Sequence, residues 1–203
     1  MKHASRLLSL LVLPLAFALL TVSSCGEKGA PPRAWEYGAY QPMNENMKSY
    51  SLPAGISIDS CYGYDDYIPE AELPLYMVVS NSKTSDITVT FPAGLVFDPG
   101  NAEYQYMMLL KDFSFTAKVG VTDSILVPTY CNNEDLSQPD DESNYLTIPG
   151  REWDKEIQEL LDLVANKALN TDDATTLAQD ALTEICDDSG LTDATRTALK
   201  ALP

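Results

Sequence analysis

The chain of 203 residues has one histidine, His3, and few cations, with 13 lysines and arginines against 30 aspartates and glutamates. His3 lies in an N-terminal segment that reads as an export signal. Lys2 and Arg6 precede an apolar run from Leu7 to Leu20, and small residues follow in Val22-Ser23-Ser24-Cys25. A membrane span needs about 20 apolar residues; this run is shorter and carries Pro14. Cleavage after Ser24 would leave a mature chain without histidine. That excludes a Ser-His-Asp triad, a Cys-His dyad and any His-ligated zinc or haem.

The scarcity of cations excludes more. Loss of Lys2 and Arg6 leaves 11 basic residues and all 30 acidic ones, a formal net charge of −19. Such a chain repels the phosphates of nucleic acid, so none is expected as a partner, and it repels anionic lipid head groups. An acidic surface serves solubility. The paired acids, Asp65-Asp66, Glu134-Asp135, Asp140-Asp141-Glu142, Asp172-Asp173 and Asp187-Asp188, occupy loop and cap positions. None has the alternating spacing of a calcium loop, so no metal or cofactor is expected. No catalytic set is evident, and the expectation is a non-enzymatic protein; a small envelope enzyme, such as a paired-carboxylate glycosidase, is the least favoured alternative.

The stretch Val22-Ser23-Ser24-Cys25 resembles the lipobox of bacterial lipoproteins. The resemblance implies that the Cys25 thiol is acylated and becomes the first mature residue, with the lipid bilayer as partner. Each buried CH₂ adds about 0.8 kcal/mol, so two or three chains anchor firmly. Gly26 follows where inner-membrane lipoproteins often carry Asp. The expected destination is therefore the outer membrane, on its periplasmic or exposed face.

Beyond the signal (1–24), residues 25–50 read as lipidated cysteine and tether, with Ala30-Pro31-Pro32 unable to enter a helix. Tyr37, Tyr40 and Tyr50 suggest that part of it packs on the domain. Residues 51–148 read as strands. Leu75–Val79 is a buried run, and Asp86–Phe91 alternates with Ile87, Val89 and Phe91 on one face. Leu95–Phe97, Tyr104–Leu110, the alternating Phe113, Phe115, Ala117 and Val119, and Ser124–Tyr130 complete the series. Short strands with turns about every ten residues predict an antiparallel β-sandwich. Asn132–Gly150 reads as a loop. Residues 149–203 switch to helical period. Trp153, Ile157, Leu160, Leu161, Val164 and Ala168 form one stripe, and Ala174, Leu177, Ala178, Ala181, Leu182 and Ile185 a second. Thr192 caps a short third helix. The fold class expected is α+β, a sandwich followed by two or three helices.

Three groups of residues are candidates for a role. With Cys25 assigned to lipid, Cys61, Cys131 and Cys186 can form one disulfide and leave one thiol over. Spacing leaves three pairings open. Cys61–Cys131 is favoured because both adjoin strands, whereas Cys131–Cys186 would pin the helices. Second, Thr129-Tyr130-Cys131-Asn132 followed by Gln179-Asp180-Ala181-Leu182 resembles the thioester domains of bacterial surface adhesins. The resemblance covers about 60 residues, and Thr183 stands where those domains carry Trp. It implies that Cys131 and Gln179 condense to an internal thioester that traps a host amine. Third, Cys61-Tyr62-Gly63-Tyr64-Asp65-Asp66-Tyr67 has the Tyr, Gly and Asp mixture of binding loops. Tyr62, Tyr64, Asp65, Asp66 and Tyr67 are the expected contact surface for a protein or glycan partner.

Overall fold

A computed structural model describes residues 47–203 except 102, 134–135, 142–146, 153 and 187–189. The signal, Cys25, most of the tether and Trp153 lie outside the described residues. Among the described residues nine strands precede three helices, so the chain is α+β, with every named strand pair antiparallel. The strands are β1 (Ile56–Gly63), β2 (Leu75–Asn81), β3 (Ile87–Phe91), β4 (Leu95–Asp98), β5 (Met107–Met108), β6 (Phe113–Ala117), β7 (Thr122–Val127), β8 (Tyr130–Cys131) and β9 (Thr147–Arg151). The helices are α1 (Lys155–Val164), α2 (Asp172–Cys186) and α3 (Asp193–Ala201).

Hydrogen bonding divides the strands among three sheets, in the orders β1-β2-β7, β3-β6 and β8-β5-β4-β9. That pairing alone does not make a two-sheet sandwich. What it does produce is a four-stranded sheet buried on both faces. Leu95, Phe97, Met107 and Cys131 join a core with Cys61, Met77, Val89 and Val127 of the other sheets. Their chain neighbours Val96, Met108 and Tyr130 face the helices and meet Ile157, Leu160, Ala178 and Ile185. Side chains alternate across a strand, so apolar runs such as Leu95-Val96-Phe97 serve both layers at once. Burying each large apolar side chain stabilises by about 1.5–3 kcal/mol.

The helices begin where their caps dictate. Asp154 accepts from the backbone N–H groups of Glu156 (2.8 Å) and Ile157 (3.3 Å). The Thr171 and Thr192 hydroxyls accept from Ala174 and Thr195. Arg196 of α3 binds Glu159 of α1 through two hydrogen bonds of 2.7 and 2.9 Å. Among the described residues no helix is long and apolar enough to cross a membrane.

Three expectations need correction. The segment read as a loop before Gly150 contains β9, so the boundary expected between 148 and 149 falls inside a strand. Of Tyr104–Leu110 only Met107–Met108 is strand, because its partners β4 and β8 are themselves short. Ser124–Tyr130 is two strands, broken after Val127 at Pro128.

Candidate functional site

β8 is the edge strand of the four-stranded sheet. Its inner side is paired with β5, Cys131 opposite Met107, and Asn132 N–H donates to the Tyr106 carbonyl. On its outer side stands a side chain in place of another strand. The Cys131 N–H donates to Gln179 Oε1 at 2.8 Å, and Gln179 Nε2 donates to the Cys131 carbonyl at 2.8 Å. A carboxamide offers one acceptor and one donor side by side, which matches the outward N–H and C=O of one extended residue. Gln179 Nε2 also donates to Thr183 Oγ1 at 3.3 Å, one helical turn along α2. Gln179 is 6% exposed. Covering the edge with this amide satisfies two backbone groups and blocks pairing with another chain.

Cys131 and Gln179, expected to meet, are therefore in direct contact. They line a cavity of ≈400 Å³ together with Glu72, Gln105, Leu136 and Gln138. The walls are set by backbone ties. Thr129, wholly buried just before β8, accepts from the N–H groups of Glu72 and Leu73 at 3.1 Å each. Gln105 Nε2 donates to the Leu136 carbonyl at 2.8 Å. Glu72 also lines a neighbouring cavity of ≈210 Å³ with Tyr67, Asp172 and Thr175. Thr175 and Gln179 are four residues apart on α2, so the two cavities lie along one helix face.

The expected disulfide is not formed. Cys61 is a buried free thiol, and Cys131 and Cys186 are buried as well. Cys61 and Cys131 share one core, yet each keeps its place within its own sheet, Cys61 opposite Met77 and Cys131 opposite Met107. Each packs as a small apolar side chain. Burial pushes the Cys61 thiol up to about 12.

The aromatic segment divides. Cys61, Tyr62 and Gly63 end β1 and are not loop. Tyr62 stacks on its cross-strand partner Tyr76, ring centroids 5.0 Å apart, and Tyr64 leans on the same ring at 6.1 Å. The Tyr76 hydroxyl donates to Ser124 Oγ at 2.6 Å. Tyr62 thus has a cross-strand packing role, of the kind that contributes about 0.2–1 kcal/mol. A hydrogen bond with Asp66, and then that group's charge, hold the Tyr64 phenol above its ordinary range. Asp65, Asp66 and Tyr67 are exposed, Tyr67 at 62%.

Two features were not foreseen. Asn132 and Asn133, directly after Cys131, are wholly buried, and neither carboxamide has a hydrogen-bond partner among the described residues. Each orphaned buried group costs about 1–3 kcal/mol, which surrounding contacts must offset. Polarity gives no hint of this burial, though their position beside the predicted nucleophile could have singled them out. Glu72 is the second. It sits in a Pro- and Glu-rich turn that nothing in the sequence links to Gln179. Among the described residues no group of three or more His, Cys, Asp or Glu side chains is gathered as a metal site requires. Compared with known proteins, no family model, no curated protein and no solved structure matches this chain.

Proposed function

We propose that the chain is an envelope lipoprotein, anchored through acylated Cys25 at the outer membrane. It acts there as a non-enzymatic binding module for a protein or a glycan. The observation that carries the binding face is Tyr67. It is a large, mostly exposed ring lining the smaller of the two cavities that share Glu72. An exposed aromatic beside a concave, partly polar surface suits a protein side chain or a sugar ring. Asp65 and Asp66 border the same segment; Tyr62 and Tyr64 support it from β1 and Tyr76.

The test is binding of the full-length protein, in detergent, to arrayed glycans and immobilised extracellular-matrix proteins. Tyr67→Ala should lower binding of any hit at least tenfold while leaving Tm unchanged; such a loss is about 1.4 kcal/mol. Undiminished binding would remove the segment from the interface. The anchor is tested separately by Cys25→Ser, which should move the protein from membrane to soluble fractions.

A second reading is favoured by the Cys131–Gln179 contact: a covalent adhesin in which these residues form a thioester that captures an amine. What supports it is the pair of 2.8 Å hydrogen bonds holding the carboxamide on the residue whose thiol would attack it. Nucleophilic catalysis requires that kind of proximity. Intact-mass measurement decides. A formed thioester makes the protein lighter by one ammonia, and methylamine then adds at Gln179. A protein of full mass that is inert to methylamine ends this reading and leaves the first.

A further inference from the structure

We propose that Thr183 is a positioning residue for condensation of Cys131 with Gln179, holding the nitrogen that departs, while the backbone N–H of Cys131 polarises the carbonyl under attack. The inference rests on the covalent reading above. Its basis is that every polar atom of the Gln179 amide is held. Oε1 accepts from Cys131 N–H at 2.8 Å; Nε2 donates to the Cys131 carbonyl at 2.8 Å and to Thr183 Oγ1 at 3.3 Å. The reverse orientation would set N–H against N–H and oxygen against oxygen, so the amide has one way to sit.

The direction of approach follows from the strand. The outward N–H and C=O of Cys131 lie near the plane of the sheet, and a carboxamide paired with both continues that plane. A strand side chain stands roughly perpendicular to the sheet. The Cys131 side chain stands out of that plane, on the side of the core it shares with Cys61 and Met77, and attack on the carbonyl carbon would come from that side. In the step, the Cys131 Sγ–Gln179 Cδ bond forms and the Cδ–Nε2 bond breaks. The thiol proton ends on the departing nitrogen, which leaves as ammonia. As negative charge grows on Oε1, the Cys131 N–H is already aimed at it. As the nitrogen becomes pyramidal and withdraws, Thr183 Oγ1 keeps its contact and prevents the side chain from turning away. Thr183 is half-buried and touches Gln179 from the same face of α2, so its hydroxyl can be removed without opening the core.

The experiment follows ammonia loss by intact mass after refolding the full chain carrying Cys25→Ser, with Cys131→Ala as the unreactive control. Thr183→Val, which keeps the branched shape, should slow the loss about tenfold per folded molecule, the effect of one hydrogen bond. Thr183→Ser, which keeps the hydroxyl, should restore most of the rate. If Thr183→Val does not fold, Thr183→Ala against Thr183→Ser makes the same comparison on the folded fraction. Equal rates for wild type and the hydroxyl-free variant overturn the role of Thr183 and leave the covalent reading standing. If wild type itself never loses ammonia, the covalent reading falls and takes this inference with it.

Discussion

Replacing Gln179 by Glu keeps the shape of the side chain and, once the carboxyl ionises, removes both of its hydrogen-bond donors, the one to the Cys131 carbonyl being the costlier loss. In the wild-type arrangement the carboxamide gives Nε2–H to the Cys131 carbonyl and takes the Cys131 N–H, each at 2.8 Å. An ionised carboxyl can still accept from the N–H, but its second oxygen faces the carbonyl oxygen. The lost donor alone costs about 1–3 kcal/mol at a buried site, and repulsion and desolvation of the charge add to it. The total has a ceiling. The folded protein can always take up a proton, and the neutral carboxyl donates as the amide did. Raising a group from about 4.3 to pH 7 costs about 3.7 kcal/mol, at about 1.36 kcal/mol per unit. The expected penalty at pH 7 therefore lies between about 2 and about 3.7 kcal/mol, or about 4–15 °C in Tm for a domain of this size. The sign with pH is fixed. The new carboxyl is raised in the folded state, so stability is fully present below about pH 4 and is lost as pH rises through the folded pKa. Urea and thermal unfolding followed by far-UV circular dichroism at pH 4, 5.5 and 7 measure this. The comparison belongs in a Cys131→Ala background, because the backbone groups that Gln179 grips are unaffected by loss of the thiol. Gln179→Met is the companion; it loses both hydrogen bonds and should be destabilised equally at all three pH values. A Gln179→Glu penalty that is flat with pH, or smaller than about 0.5 kcal/mol at pH 7, would refute the edge-covering role.

Three further predictions concern other contacts. Cys61 is raised to about 12 by burial, so the folded thiol stays neutral while the unfolded one ionises from about pH 9. Stability is present below that pH and falls by up to about 1.4 kcal/mol per unit as pH rises toward 12. Urea titrations from pH 8 to 10 should show a shallower fall for Cys61→Ala; half-buried Tyr50 and Tyr106 and buried Tyr130, also raised by burial, steepen the fall at higher pH in both proteins. At Gly63 an added Cβ would lie 2.4 Å from the backbone carbon and oxygen of Pro139 and 2.6 Å from Asp140 N. Gly63→Ala should cost about 1–3 kcal/mol by displacing backbone, and should expose the 136–140 segment to limited proteolysis. The hydrogen bonds from Arg196 hold the Glu159 carboxyl below its ordinary value of 4.5. That stability is present above about pH 4.5 and fades as pH falls below it, so the lower Tm of Arg196→Ala at pH 7 should narrow in acid. Both side chains are partly exposed, and salt should narrow it too.

What could be read from the sequence, and what could not, divides along a physical line. The helices were legible because an amphipathic stripe and a cap are local: Ile157, Leu160, Leu161 and Val164 repeat at helical spacing, and Thr192 sits at the start of α3. β3 and β6 were legible because their outward residues are polar. β9 was not, since Thr147-Ile148-Pro149-Gly150-Arg151 carries two residues that break most elements. It pairs as a strand because its partners, β4 and the bridge at Lys48, come from elsewhere in the chain. The aromatic segment was read as a loop for the converse reason: Tyr62 and Gly63 look like turn chemistry, and only Tyr76 on β2 shows that they are paired. Gln179 combines both cases. Its position at the edge of an apolar stripe is visible, and by itself marks an ordinary polar residue. What gives the carboxamide its place is that no fifth strand lies beside β8 among the described residues, a property of the sheet that no spacing within α2 encodes. A side chain that substitutes for a strand is held by both its donor and its acceptor. Such an amide can be a finished structural device or a reactant held ready. Ammonia loss by wild type separates these cases. Where it occurs, the rate in Thr183→Val, set beside its Tm, measures whether the third contact on the nitrogen serves the condensation or only the edge cover, which needs no more than the two bonds to Cys131.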